Sequence, residues 1–172
     1  EEELNLGHDR VIDYARNGRT EFLDVYLCAR CTLFLGSPPA GINALARVFQ
    51  RPMAFVNVIP PVSDVLGEVS EKYRPTTVFI PKKLRLRAEG RLLKFRETVE
   101  LGLTAVFRGD LYDERGVDVI DNTQEEIAAV AREICDHVGG TWHATEEDED
   151  LQRRYFAVFN IKDPHKIPIA RV

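Results

Sequence analysis

The residues best suited to do chemistry stand in a short loop between an apolar run and a helix-like segment. This loop, residues 36–41, reads Gly-Ser-Pro-Pro-Ala-Gly and is followed by Ile42 and Asn43. A loop that leads from a strand into a helix presents backbone N–H groups, and the helix dipole adds partial positive charge. Ser37 and Gly41 would let a phosphate approach closely, and Asn43 could add a side-chain donor. The alternative is an ordinary strand-to-helix turn stiffened by prolines, because the spacing is neither a P-loop nor a G-x-G-x-x-G fingerprint.

Two further pairs of charged residues are candidates for ligand contact. Asp13 and Asp24 could contact a ribose or a sugar hydroxyl, although an aspartate near a helix start is often a cap or a solvated charge. Lys82 and Lys83 follow an apolar run and Pro81, and they could meet a diphosphate or a polyanionic acceptor. The alternative for both lysines is a solvated loop.

Cysteine and histidine give no pattern of metal or redox chemistry. Cys28 and Cys31 form a C-A-R-C motif inside a helix-like segment, and Cys135 lies far along the chain. Zinc needs four ligands and redox chemistry a low-pKa thiol at a helix start, so we expect buried, reduced, structural thiols. No metal-ligand spacing relates the four histidines, which are His8, His137, His143 and His165. We expect no metal and no cofactor, and reduced thiols are typical of the cytoplasm.

Composition and charge exclude several classes of protein. The chain has 172 residues, 44% of them hydrophobic and 30% charged, with a formal net charge of −5. This is the balance of a folded soluble domain, and no apolar run approaches the ~20 residues that cross a bilayer. Seven of the basic residues fall between Lys82 and Arg96, where Glu89 is the single acid. An acidic chain with one basic stretch argues against nucleic-acid binding and is compatible with a small anion, an acidic lipid or glycan, and peripheral membrane association.

The elements that must position these residues alternate between helix and strand. Helical spacing predicts helices over residues 21–31, with Thr20 as N-cap, and over residues 42–50. Apolar runs predict strands over residues 32–35 and 53–59, and the second has the continuous character of a strand covered on both faces. Alternation of this kind predicts an α/β fold: a Rossmann-like three-layer sandwich with a mainly parallel sheet.

The rest of the chain continues the alternation. We expect an apolar strand end over residues 11–15, further strands over residues 76–80 and 117–120, and a helix over residues 93–101. Thr123 and Glu126 form a capping box, so a helix starts there and ends at Gly139–Gly140. The acidic residues 146–150 charge the first turn of a last helix. We expect one domain over residues 1–160 and a loosely packed tail over residues 161–172.

The order and spacing of several short motifs carry a resemblance that spans nearly the whole chain. The stretch from Asp24 to Ser37, then Gly41 and the sequence Phe-Gln-Arg-Pro at 49–52, resembles the C-terminal half of GT-B glycosyltransferases, and more specifically a family of bacterial surface-polysaccharide glycosyltransferases. Further segments fit that family's pattern: residues 12–15, 79–82, 90–95, 121–127, 140–142 and 151–152.

The resemblance implies that the chain is the donor-binding half of a GT-B enzyme of polysaccharide or glycolipid synthesis. Such a half binds a nucleotide sugar through its loop, needs no metal for the leaving group, and works with an upstream acceptor domain. The chain begins at Glu1 without a methionine, so we expect a fragment or processed product that is inactive alone, and no catalytic residue can be named. The loop departs from the family's pattern, since Pro38, Pro39 and Ala40 stand where small hydroxyl residues are usual. The alternative is therefore a non-catalytic Rossmann-like module that binds a ligand or partner.

Overall fold

The computed structural model describes residues 8–16, 18–59, 61, 76–104, 109–160 and 169–171. Their elements run in the order α1 (Glu21–Arg30), β1 (Phe34–Gly36), α2 (Ile42–Val48), β2 (Met53–Val58), β3 (Thr77–Pro81), β4 (Lys83–Leu86), β5 (Arg91–Leu92), α3 (Phe95–Glu100), α4 (Gly109–Glu114), β6 (Val117–Ile120), α5 (Gln124–Gly139) and α6 (Glu146–Val158). The predicted mixture of helices and strands is confirmed.

The first three strands form a parallel sheet in the order β1-β2-β3. Strand β2 lies in the centre, and each of its residues except Asn57 is buried. Burying a large apolar side chain contributes about 1.5–3 kcal/mol, so a continuous apolar run is stable only where both faces are covered. The strand predicted over residues 53–59 is therefore confirmed, and with it a small sheet that is compatible with a Rossmann-like fold.

The two faces of this sheet pack against different helices. One face packs on α5, in a cluster formed by Ala54, Val56, Val78, Ile80, Val130 and Ile134. The other face packs on α2 and α6, in a cluster formed by Ala46, Met53, Phe55, Val58, Phe79 and Tyr155. Because successive side chains of a strand point to opposite faces, the apolar run of β2 supplies both clusters.

A second sheet corrects the prediction of one mainly parallel sheet. Strands β4, β5 and β6 form an antiparallel sheet in the order β5-β4-β6, which also has three strands. Strand β6 matches the strand predicted over residues 117–120, but it pairs with β4 and not with the parallel strands. The basic stretch forms the β4–β5 hairpin, and α3 begins only at Phe95. The predicted helix over residues 93–101 is thus shorter than expected.

The predicted ends of α1 and α5 carry the expected capping residues. The Thr20 side chain accepts a hydrogen bond from the backbone N–H of Leu23 and starts α1. At the start of α5, Thr123 Oγ1 accepts from the N–H of Glu126 at 3.3 Å, and Glu126 Oε2 accepts from the N–H of Thr123 at 2.8 Å. Gly140 ends α5 with φ of 70°, a left-handed conformation that glycine adopts without strain. These predictions are confirmed.

Both ends of the described chain differ from expectation. Residues 11–13 have no regular secondary structure and residues 14–16 form a turn, so the expected strand end is absent there. In the tail, residues 161–168 and 172 lie outside the described residues, but Ile169 bridges Phe79 in parallel and Ala170 is buried in the cluster under α5. This part of the tail therefore packs against the sheet and is not loose. No described helix has the length and apolar character that a membrane span requires.

Candidate functional site

The candidate anion-binding loop lies where three parallel strands end. We use "carboxyl edge" for the residues that directly follow β1, β2 and β3, namely Ser37, Ile59 and Lys82. The strands are parallel, with a register shift between Phe55 and Val58 of β2, so these residues emerge on the same side of the sheet. Neighbouring strands are about 4.8 Å apart, so β1 and β3 lie about 10 Å apart across the sheet, and β3 extends beyond the level of Phe79 at which β1 ends. In open α/β sheets ligands bind at this edge.

The side chain of Asn43, next to the loop, is unusual in its burial and in its hydrogen bonding. Its side chain is only 6% exposed, and neither Oδ1 nor Nδ2 has a hydrogen-bond partner within the described part of the chain. The backbone N–H of Asn43 donates to the carbonyl of Ala40 at 3.0 Å, which places the residue in the first turn of α2. A buried polar group without a partner costs about 1–3 kcal/mol, and both amide atoms are shielded from solvent in this conformation of the loop.

Gly36 makes room for the Asn43 amide. A Cβ at Gly36 would stand 3.2 Å from Asn43 Oδ1 and 2.5 Å from the ring of Phe34. The amide oxygen therefore points back toward the end of β1. Sequence reasoning treated Gly36 only as part of the loop, and its role becomes visible when β1 and α2 are placed side by side.

The other predicted loop residues are accessible. Ser37, Gly41 and Ile42 are exposed, and Pro38 is buried. A side chain added at Gly41 would meet nothing within 4 Å, so the space above this residue is open. Helix α2 has seven residues and ends at Val48, shorter than the predicted 42–50. The helix dipole thus adds less than expected, and the loop N–H groups and Asn43 are the principal donors.

Both predicted lysines are held by carboxylates. Lys82 Nζ lies 2.5 Å from Asp121 Oδ1, and Lys83 Nζ lies 2.7 Å from Glu126 Oε1. The interaction with Lys83 lowers the pKa of Glu126. The backbone N–H of Lys82 donates to the carbonyl of Val58 at 2.9 Å, which ties this residue to the carboxyl edge. The lysines are therefore placed as predicted, but each already has a counter-charge.

Sequence reasoning missed two asparagines beside these lysines. The backbone N–H of Asn57 donates to Asn122 Oδ1 at 2.6 Å, and the N–H of Asn122 donates to Asn57 Oδ1 at 2.7 Å. Asn122 Nδ2 also donates to the carbonyl of Pro81 at 2.9 Å. Asn57 has φ of 54°, in the left-handed region that asparagine tolerates better than most residues. The sequence signal for Asn57 is that it is the one polar residue in an otherwise apolar strand.

The two predicted aspartates lie near the start of α1. Asp24 Oδ1 accepts a hydrogen bond from the Tyr14 hydroxyl at 2.9 Å, and Asp24 Oδ2 lies 3.3 Å from Arg19 Nη2. These contacts fasten the turn before α1 to the helix, which is the structural alternative for Asp24. Asp13 is half-buried in that turn, and its contact with a ligand stays a prediction.

The basic stretch is largely neutralised by neighbouring acids. Arg85 and Arg87 of the β4 hairpin both contact Asp118 of β6, and Arg87 also contacts Asp113. Arg91 pairs with Glu89 and Glu97, and Arg91 with the backbone N–H of Lys94 lowers the pKa of Glu97 to about 2. These contacts brace the second sheet, so most of the positive charge that suggested an anion site is occupied.

The cysteines behave as structural thiols. Cys28 is buried and Cys31 half-buried, while Cys135 is exposed. Burial raises the pKa of both the Cys28 and Cys31 thiols, which is opposite to the shift that a reactive thiolate needs. Within the described ranges, no three histidine, cysteine or acidic side chains are grouped so as to hold a metal ion.

A second group of titratable residues lies between α5 and α6. A cavity of ≈ 1110 Å³ runs along α6, and its lining includes Glu133, His137, Trp142 and Arg171. The His137 ring stacks on Trp142 with centroids 4.2 Å apart, and burial lowers the pKa of this histidine. Glu133 is buried, which raises its pKa, and its Oε2 accepts from the N–H of Arg171 at 2.6 Å. This group fastens the end of the described chain to α5.

Comparisons of the chain with protein-family models, with curated proteins and with solved structures find no match. The carboxyl edge and its residues are therefore the basis for inferring a function.

Proposed function

We propose that the chain is the nucleotide-sugar-binding half of a glycosyltransferase of the GT-B type, built as a Rossmann-like three-layer sandwich and working in the cytoplasm on polysaccharide or glycolipid synthesis. The observation that carries this proposal is the buried amide of Asn43, which has no hydrogen-bond partner in the described residues and lies beside the accessible loop at the carboxyl edge. Both amide atoms are shielded from solvent, so a ligand would reach them only after the loop shifts, and a phosphate oxygen would then accept from Nδ2.

The arrangement of the edge supports an elongated anionic ligand. The loop 37–41 and Asn43 lie at the end of β1, and Lys82 lies at the end of β3. Strands β1 and β3 lie about 10 Å apart across the sheet, so an elongated ligand with a diphosphate and a sugar would reach from one strand end to the other. Donors fixed in place before the ligand arrives stabilise the diphosphate leaving group without reorganisation. The sugar acceptor and the catalytic base would come from an upstream domain.

A second candidate function is a non-catalytic module that binds a ligand or a protein partner. The observation that favours it is the loss of donors at the edge. Pro38 and Pro39 carry no backbone N–H, and Lys82 and Lys83 are already ion-paired. Under this alternative the fold is retained while the affinity for a nucleotide sugar is lost.

Ligand-induced stabilisation tests the proposal, with Gly41 as the position to change. Nucleoside diphosphates and nucleotide sugars are added at millimolar concentration, and the thermal midpoint is followed; a ligand at 100 times its Kd stabilises by about 2.7 kcal/mol. Gly41 has φ of −57° and open space around it, so Gly41→Asp and Gly41→Asn both fit the fold, and both are good N-cap residues.

The two variants differ only in charge. We expect stabilisation of the wild type and of Gly41→Asn, and none of Gly41→Asp, because its carboxylate repels the phosphates. An absence of stabilisation by every nucleotide tested favours the non-catalytic module. Equal stabilisation of Gly41→Asp and the wild type places the binding site away from this loop.

A further inference from the structure

We propose that Asp121 competes with the ligand for Lys82, so that the carboxyl edge binds multiply charged anions such as diphosphates and rejects singly charged ones. This inference rests on the proposed function and names a selectivity residue for the same site. Its starting point is the ion pair between Lys82 Nζ and Asp121 Oδ1, 2.5 Å apart, at the end of β3.

The Lys82–Asp121 pair is the one that a ligand can open most easily. The Asp121 side chain is 68% exposed, so its carboxylate can return to water when it leaves Lys82. Glu126, by contrast, pairs with Lys83 and at the same time caps α5 through the N–H of Thr123. Releasing Lys83 disturbs the helix cap, whereas releasing Lys82 does not.

The backbone around Asp121 is fixed, which keeps the competing carboxylate close to the site. Asn122 is held on one side by Asn57 and by the carbonyl of Pro81. Thr123 is held on the other side by the capping box of α5. Asp121 therefore stays beside Lys82 as an intramolecular counter-ion, present at high effective concentration.

A fixed counter-ion discriminates between ligands by their charge. A monoanion that displaces Asp121 replaces one negative charge by another and gains no net attraction. A diphosphate brings more negative charge to Lys82 than the carboxylate it displaces, so its attraction to this lysine is greater. The carboxyl edge thus discriminates between anionic ligands by the number of their charges as well as by their shape.

Calorimetric titration of the full chain with inorganic pyrophosphate and with inorganic phosphate tests this inference in mildly acidic buffer, where phosphate is mainly a monoanion and pyrophosphate keeps at least two negative charges. Asp121→Asn removes the competing charge and keeps the size of the side chain. Exposed ion pairs contribute up to about 1 kcal/mol, so we expect Asp121→Asn to bind pyrophosphate up to about fivefold more tightly. We expect the preference for pyrophosphate over phosphate to fall in this variant.

Asp150→Asn is the matched control, because it removes the same charge from an exposed ion pair on α6. We expect its affinity for pyrophosphate to equal that of the wild type within twofold. Lys82→Gln should weaken binding and abolish the effect of Asp121→Asn in the double variant.

The outcomes separate this inference from the proposed function. If the wild type binds pyrophosphate and Asp121→Asn binds it no more tightly, the competition is refuted while the anion site stands. An equal gain in Asp150→Asn attributes the effect to net charge and also refutes the competition. If neither the wild type nor any variant binds either anion, both proposals fail together.

Discussion

Asn57 and Asn122 exchange two hydrogen bonds, each donating its backbone N–H to the side-chain oxygen of the other, at 2.6 and 2.7 Å. The residues are 65 positions apart in the chain. Through this exchange the end of the central strand β2 is joined to the segment that leads into α5. The relationship fixes the position of Asp121 and Thr123, and hence the position of the charges beside Lys82.

Replacing Asn122 by alanine should destabilise the fold. The change removes the acceptor of the Asn57 N–H and the donor to the Pro81 carbonyl, and both groups lie in a part-buried site. Two unmade hydrogen bonds cost about 2–4 kcal/mol in the free energy of unfolding, measured by urea denaturation. Gln124→Ala, at an exposed position two residues on, is the control and should change stability by less than about 0.5 kcal/mol. Equal effects of the two substitutions would refute the structural role of Asn122.

Replacing Asn43 by leucine should leave the protein as stable as the wild type, or more stable. Leucine has the same number of side-chain heavy atoms and the same branching as asparagine, although its methyl groups are bulkier, and it removes two buried polar atoms that have no partner in the described chain. The gain in the free energy of unfolding is about 1 kcal/mol if the site accommodates the branched side chain. The same substitution should weaken nucleotide binding. A loss of several kcal/mol would instead reveal that the amide has a structural partner.

The stability of the protein should respond to His137 as the pH falls from 7.5 to 5.5. Burial lowers the pKa of His137 below its ordinary value of 6.5, so the unfolded chain takes up this proton first. Protonation therefore favours unfolding, and the contribution of His137 to stability falls as the pH decreases through 6.5. His137→Gln does not titrate here, so its stability relative to the wild type should rise as the pH falls.

Urea unfolding at both pH values measures this difference. His143→Gln, which removes a histidine at an exposed position, serves as the control. A constant difference between His137→Gln and the wild type over this pH range would contradict the prediction.

Replacing Gln152 by alanine should release the end of the described chain from α6. Gln152 Nε2 donates to the carbonyl of Ile169 at 2.5 Å, and Gln152 Oε1 accepts from the N–H of Ile169 at 3.2 Å. We expect a loss of about 1–3 kcal/mol and faster hydrogen exchange at the N–H of Ala170, which donates to Phe79. Arg153→Ala, exposed on the same helix, should leave that exchange rate unchanged.

Local patterns were sufficient to predict most elements of the fold. The apolar run of β2 and the capping box of Thr123 and Glu126 each identify their element from a few adjacent residues. The direction and partners of β6 could not be predicted in this way. The alternation of side chains along a strand does not specify its partner strand. Strand β6 pairs with β4 of the β4–β5 hairpin, whose many basic residues do not form the apolar pattern that predicts a strand.

The sequence predicts which residues belong to the candidate site, but it does not predict the contacts that they make. Ser37, Gly41, Asn43 and Lys82 all lie at or next to the carboxyl edge, because the parallel order of the strands follows from the alternation of elements. The Asp121 counter-ion could not be predicted, because it comes from a segment that the second sheet returns to this edge. In the sequence no acidic residue stands next to Lys82, whereas in the fold Asp121 neutralises the charge of this lysine.

The attachment of Ile169 and Ala170 to β3 has a consequence for synthesis of the chain on the ribosome. The backbone of Phe79 finds this partner only after nearly all of the described chain has been made. Until then the outer side of β3 is an open strand edge, the kind of surface that pairs with other nascent chains. The yield of folded protein should therefore depend on the speed of translation through α6 and on chaperones that shield strand edges. This dependence should be stronger than the stability of the finished fold alone would suggest.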